Sequence, residues 1–336
     1  MNSFHGVHEI ELANTKAFYI DGSEKILVDT GLKPLHNDVL NFLSKNGYNF
    51  GEGGFEFFKK GSHHTILNFL KKNKFKVDVI ICTHCHGDHT GNLAQLKEEL
   101  NVPVAAHSAD IPFIEGREKV SNPQFVPEEL QKHFDVAPCK VDISLKDDEF
   151  FNEDLRIIHI EGHTKGNICL LYRNKVLITG DTVLGKNLLN PKMAPEELNL
   201  SAEWSCFSYK KAWDNLPKLL NYSFDTILPS HGLSIKKDGK RRLEQLIKRR
   251  PEQLIDRVYD TIPIQEKCIK PDRQRIPDEV KRFVWKRDDG SCVKCGSRER
   301  LEFDHMVPVS KGGSNTARNI ELLCEKCNRK KSDNII

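Results

Sequence analysis

Short apolar runs, each closed by a glycine or a polar residue able to hold a metal, recur along the first two thirds of the chain. Ile26-Leu27-Val28 leads into Asp29-Thr30-Gly31, and Val77 to Cys82 leads into Thr83-His84. Ile157 to Ile160 leads into Gly162-His163-Thr164, Val176 to Thr179 into Gly180-Asp181-Thr182, and Thr226 to Leu228 into Ser230-His231-Gly232. Apolar runs of this length read as buried strands, so each delivers one polar residue to a strand end, on one common sheet edge. Between them Leu93, Leu96 and Leu100 recur at helical spacing, which places Thr83 to His89 in a strand-to-helix loop. Further on, Leu243, Leu246 and Ile247 share one helix face, and Pro251 opens a second helix with Leu254, Ile255 and Val258. Thr261 to Ile276, with Pro263, Pro271 and several charges, reads as a linker.

The loop after Cys82 carries the densest chemistry. Thr83-His84-Cys85-His86-Gly87-Asp88-His89 sets four potential ligands within six positions, and neutral imidazole and carboxylate are what zinc and similar divalent ions accept. A loop can aim them at one point because no regular ladder fixes their directions. Cys85, alternating with His84 and His86, is expected to turn away. A polar loop that gathers histidines by chance is the plain alternative, and the ligand-capable strand ends downstream outweigh it.

Together these segments resemble the metallo-β-lactamase fold, over roughly residues 5–235, with every ligand position of its dinuclear branch filled. The resemblance implies an α/β αββα sandwich. It also implies that His84, His86 and His163 bind one metal, that Asp88, His89 and His231 bind the second, and that Asp181 bridges them. The ions would be two zinc, iron or manganese. Asp29 would orient a ligand from behind. A hydroxide shared by the two metals would be the nucleophile, and Asp88 could hand a proton to the leaving group. The substrate stays open between a small molecule and a nucleic acid. The segment Pro103 to His107 resembles glyoxalase II-like and lactonase-like members, which take thioesters or lactones, yet a basic connector replaces the glutathione-binding helices after His231. Phe50 to Ser62, glycine-rich with Phe50, Phe55, Phe57 and Phe58, fits either a mobile apolar lid or aromatic packing beside the sheet.

A second texture begins near Ile276. Cys292-Val293-Lys294-Cys295 and Cys324-Glu325-Lys326-Cys327 are two C-x2-C knuckles whose thiolates suit one structural zinc, a staple that a module this small needs. Between them the strand-like Leu301-Glu302-Phe303 ends at Asp304-His305, a turn-rich loop runs from Pro308 to Ser314, and Arg318-Asn319-Ile320 leads back to the second knuckle. A plain zinc ribbon would not need those residues. The segment resembles the HNH endonuclease family over about residues 276–333. By that resemblance a ββα unit holds Mg2+ or Mn2+, His305 is the general base, Asp304 binds the metal and Asn319 pins the loop that aims His305. Asn328 takes the third signature position as a metal ligand, and its amide oxygen suits hard Mg2+ better than zinc.

Charge separates the two parts. Residues 1–235 carry a net charge of −6 and residues 236–336 a net of +9, which the whole-chain value of +3 conceals. A basic third around an HNH core supplies the sequence-independent attraction for phosphate that a nuclease uses, so DNA is the expected partner; the alternative is a thioester or lactone hydrolase whose basic tail mainly tethers nucleic acid. Residues 1–235 are thus expected as the hydrolase domain, 236–275 as a basic helical connector and linker, and 276–336 as the endonuclease domain. Six of the ten cysteines lie scattered outside the knuckles, and no apolar stretch reaches membrane-spanning length, which together fit a cytoplasmic, reducing setting.

Overall fold

The computed structural model describes residues 2–12, 15–45, 54–119, 130, 132–187, 192–252, 254, 276–306, 315, 317 and 319–331. Strands β1 (Ser3–Phe4), β2 (Val7–Glu11), β3 (Lys16–Asp21), β4 (Lys25–Val28), β5 (Val79–Ile81), β6 (Val104–His107) and β7 (Ile143–Leu145) pair in chain order into one seven-stranded sheet. The sheet is antiparallel from β1 to β4, where short turns connect neighbours. From β4 to β7 it is parallel, which requires crossovers. The helices Asn37–Lys45 and His63–Asn73 make the first crossover, and Leu93–Leu100 makes the second.

A second sheet is built from β8 (Leu155–His159), β9 (Ile168–Tyr172) and β10 (Val176–Gly180). After the small pair β11 (Val183–Leu184) and β12 (Asn199–Leu200), strand β13 (Thr226–Pro229) joins the far side of β10, in parallel, giving the order β13-β10-β9-β8. Strand alternation then sorts the side chains. Phe18, Ile20, Val28 and Ile81 of the first sheet meet Leu155, Ile157, Leu170 and Ile178 of the second in a buried layer. Tyr19, Leu27 and Ile80 point the other way, onto Ile66, Leu70, Leu93 and Leu96 of the helices. Ile158, Leu171, Leu177 and Ile227 point outward from the second sheet onto Trp213, Leu216, Leu243 and Leu246. The result is the expected helix–sheet–sheet–helix sandwich.

Leu243 and Leu246 do close the outer helical layer, from the helix Gly239–Ile247. The second helix expected from Pro251 and the linker up to residue 275 lie almost entirely outside the described residues. Within Phe50 to Ser62, Phe58 sits in the helix Gly54–Lys60 and is buried among Leu35, Val39, Leu40 and Leu43, which is the packing role. Phe50 and the side chains of Phe55 and Phe57 lie outside the described residues.

The C-terminal module has its own small architecture. The helix Asp278–Arg287 precedes β14 (Leu301–His305), which pairs antiparallel with β15 (Ile320–Cys324), and the helix Glu325–Lys331 follows. Val280 and Val284 pack on Ile320 and Leu322 on one side of the hairpin. Cys292, Val293, Leu323 and Cys324 form a second cluster. Strand β14 runs two residues further than expected, through Asp304 and His305.

Gly162 shows how tightly the site loops are fitted. Its φ of +150° is a conformation that side chains rarely adopt, and a Cβ there would lie 2.3 Å from the Ala212 backbone. Gly162→Ala must push the His163 loop away from the helix Tyr209–Asn215. The expected cost is about 3 kcal/mol or more, with loss of bound metal, read by chemical denaturation and elemental analysis.

Candidate metal centres

Strand direction explains why distant residues meet. Strands β4 and β5 are parallel, so Asp29 and the His84–His89 loop leave from the same edge. Strand β8 is antiparallel to β9, β9 to β10, and β10 is parallel to β13, so β8, β10 and β13 share one direction. Their C-terminal ends deliver His163, Asp181 and His231. Because the two sheets stack face to face, both sets of ends meet at one rim.

The cluster is close-set. His163 Nε2 lies 3.2 Å from His84 Nε2 and 2.9 Å from His86 Nδ1. Asp181 Oδ1 is 3.4 Å from His89 Nε2, while Asp181 Oδ2 is 3.5 Å from His163 Nε2 and 3.4 Å from His231 Nε2. Asp88 Oδ2 is 3.2 Å from His231 Nε2. Three ligand groups emerge, each with donor atoms within 4.8 Å of one another: His84, His86 and His163; His84, His89 and Asp181; and Asp88, His89 and His231. Asp181 therefore stands between the two expected pockets.

Electrostatics divides the cluster the same way. Burial pushes His84 and His86 down, with His89 acting on His84 as well, and burial with the neighbouring His86 takes His163 to about 3. These three imidazoles are neutral and present lone pairs. On the other side burial opposes charge, but Asp181, Asp88 and Asp29 hold the His89 imidazolium well above its ordinary range. His231 is likewise raised to about 10, against burial, by Asp181 and Asp88. Burial works against the charge of Asp88, yet His89 and His231 outweigh it and keep this group well below the usual carboxylate range. Asp88, expected as ligand and as proton donor, thus stands here as a carboxylate, the form that serves the ligand role.

These residues fit a metal on two observations. His89 Nε2 and Asp181 Oδ1 are buried, 3.4 Å apart, and neither forms a well-aligned hydrogen bond, so each has room for a better partner. The donor set is the second: five imidazoles and two carboxylates converge there, the ligands that zinc and similar divalent ions take.

Two buried carboxylates hold this assembly from behind. Asp29 accepts the Thr83 N–H at 2.8 Å and the Thr83 hydroxyl at 2.7 Å, and lies 2.8 Å from His89 Nδ1. That contact keeps Nδ1 as the donor and leaves Nε2 for the cluster. Asp110 was not among the expected residues. It accepts the Cys85 N–H at 2.9 Å, the Thr164 hydroxyl at 2.7 Å and the Gly166 N–H at 2.7 Å, joining the His84–His86 loop to the His163 loop. The available signal was its place just beyond the apolar strand β6, the pattern shared by the other strand-end acids. Cys85 is buried in the apolar core, turned away as expected. Glu9 and Lys16, both buried, meet at 3.2 Å and reach Ser234, steadying the chain just past His231.

In the C-terminal module Cys292, Cys295, Cys324 and Cys327 gather with sulfurs within 4.8 Å. The Cys327 backbone N–H brings the Cys324 thiol down to about 7, while burial pushes the Cys327 thiol up. His305 Nε2 lies 2.6 Å from Asn315 Oδ1, a partner the sequence did not suggest. Asn319 is buried, and its carbonyl accepts the Met306 N–H at 2.7 Å, directly after His305. Asp304 and Glu321 face each other across the hairpin and share the buried Lys331, at 2.6 and 3.0 Å. The Asn328 amide donates to Glu302 at 2.7 Å. Asp304 and Asn328 thus share the side of the hairpin covered by the last helix, while alternation sends His305 to the other side.

A four-layer αββα sandwich with an imidazole–carboxylate cluster at its strand ends defines a class of metal-dependent hydrolases. Residues 12–231 match the metallo-beta-lactamase superfamily, and the chain belongs to it. Residues 292–334 match the HNH endonuclease family. Both are families of hydrolytic enzymes. The chain is 28% identical over 170 residues to a probable metallo-hydrolase of Methanocaldococcus jannaschii, covering 51% of this chain and 68% of that protein. It is 24% identical to a probable metallo-hydrolase of Bacillus subtilis over 68% of this chain and 84% of that one. An acyl-coenzyme A thioesterase of Gallus gallus is 29% identical over 33% of this chain and 43% of its own length. A metallo-beta-lactamase family protein of Thermus thermophilus shares the fold with a TM-score of 0.50 at 19% identity, covering 73% of this chain and 79% of that one.

Asp110 offers a direct check of the support layer. Asp110→Ala strands two buried N–H groups and a hydroxyl, so the sandwich should lose about 3 kcal/mol. Denaturant titration measures this, and Asp110→Asn, which keeps one acceptor, should lose less.

Proposed function

We propose that the chain is a hydrolase with two metal-dependent centres: a dinuclear acyl or phosphoryl hydrolase in residues 1–235 and a DNA endonuclease in residues 276–336. The observation that carries the first half is the convergence of His84, His86, Asp88, His89, His163, Asp181 and His231 on one buried cluster of ligand-capable atoms. His84, His86 and His163 would hold one ion, Asp88, His89 and His231 the other, with Asp181 shared. Bound there, zinc, iron or manganese supplies Lewis acidity at the scissile group. The protein's part is placement: Asp29 fixes the His89 tautomer, and Asp110 fixes the spacing of the two loops. Similarity to an acyl-coenzyme A thioesterase favours a thioester as the first substrate to assay.

For the second half, the support is the four-thiolate cluster beside a hairpin that ends in Asp304-His305. Asn315 holds His305 Nε2, so if that nitrogen carries the proton, Nδ1 presents the lone pair of a general base. Asn319 secures the chain behind it. Asp304 and Asn328 would hold Mg2+ or Mn2+ only after giving up part of their present contacts with Lys331 and Glu302. The thiolates would take one structural zinc.

Elemental analysis of purified protein should find about two ions in the dinuclear cluster and one zinc in the thiolate site. His84→Ala/His86→Ala should remove the former and spare the latter; no loss in that variant overturns the ligand assignment. Supercoiled-plasmid nicking with Mg2+ or Mn2+ should fall about 100- to 10,000-fold in His305→Ala while zinc content stays normal. If His305→Ala cuts as well as wild type and the double variant is dead, the nuclease is the N-terminal centre.

A further inference from the structure

Few large apolar side chains are exposed among the described residues, and Trp285, half exposed, is one of them. It lies on the helix Asp278–Arg287, whose inner face is occupied by Val280 and Val284 against the hairpin. The outer face follows helical spacing: Arg282, Trp285 and Lys286 are exposed, and so is Asp289 in the turn just beyond. Asp289 is answered by Arg298 at 2.6 Å. Arg282 and Lys286 form no ion pair among the described residues, so two positive charges flank the tryptophan.

The ring is also held in place. A Cβ on Gly290 would lie 3.1 Å from the indole, so the Gly290 backbone packs directly against the ring. Phe303 sits 6.4 Å away, tilted by 47°. Phe303 packs in the same cluster as the helix, and His305, two residues on, leaves β14 on the same face. The indole therefore lies on the His305 side of the hairpin, beside Phe303, which is itself about 7 Å back along the strand from His305. A fixed aromatic plane, open to solvent and bracketed by cations, has the shape and charge of a base-stacking platform.

We infer that this helix face is a binding site for an unpaired nucleobase, with Trp285 as the stacking surface and Arg282 and Lys286 taking the flanking phosphates. The inference rests on the endonuclease reading of the module and adds a substrate class to it: DNA that is single-stranded or locally opened near the cut. In an intact duplex the base faces are covered by their neighbours, so stacking on Trp285 requires a base outside the helix.

The test is fluorescence anisotropy of the full-length protein with a labelled single-stranded 16-mer and its duplex, without added Mg2+. Trp285→Ala should weaken single-strand binding about 5- to 100-fold, with duplex affinity changed less than about twofold, and Trp285→Phe should retain most of the affinity. Arg282→Ala/Lys286→Ala should weaken both substrates and lower the salt dependence by about two phosphate contacts. Unchanged circular dichroism and zinc content confirm that the variants fold. Wild-type binding by Trp285→Ala, or equal loss for strand and duplex, overturns the stacking site while the nuclease reading stands. If wild type neither binds nor cuts either DNA, that reading falls and takes the site with it.

Discussion

The N-terminal site depends on two carboxylates that face away from it. An acid with no solvent access is tolerable only when donors surround it, and Asp29 and Asp110 take those donors from the very loops that carry the imidazoles. Neither loop can shift without leaving an acid short of partners. Asp110 joins chain positions 85 and 164–166, and Asp29 joins 83 and 89, so the histidines of these loops are fixed relative to one another before any ion arrives. Position is set by hydrogen bonds behind the cluster, while the cluster itself keeps a surplus of lone pairs.

That arrangement is possible because of strand direction. The two sheets face each other through an apolar layer, and each sends its relevant strand ends to one shared rim. A rim of loops can be polar without breaking into the core, so the side chains that bind cations and those that exclude water occupy separate zones. Glu9, Lys16 and Ser234 continue the same logic on the His231 side, where a buried ion pair at the start of the chain holds a turn more than 200 residues later.

What could be read from sequence follows from how local each signal is. Strand ends such as Val28-Asp29 and Thr179-Gly180-Asp181 are legible because a buried run and its polar terminus are contiguous. The thiolate knuckles and Asp304-His305 are legible for the same reason. Asp110 was missed because its meaning lies in partners 25 to 56 residues away. Asn315 was missed because it belongs to a turn whose composition says only that it is a turn. Lys331, buried between Asp304 and Glu321, looked like one more charge in a basic tail. The order of the seven-stranded sheet was also hidden, since β1 and β7 are too short to announce themselves.

The buried clusters have one consequence for the life of the molecule. Those of the sandwich draw only on residues up to Leu254, and those of the C-terminal module only on residues from Ile276 onward. Among the described residues no apolar cluster joins them, and Lys294 meets Glu203 at 3.4 Å between them, so the two parts are expected to melt in separate transitions. The larger part is secured by its own interior. The smaller one gathers four cysteine sulfurs at one point, one of them exposed. Oxidation of those thiols therefore disturbs the small module without reaching the interior of the sandwich, so the two parts of one polypeptide need not share a lifetime.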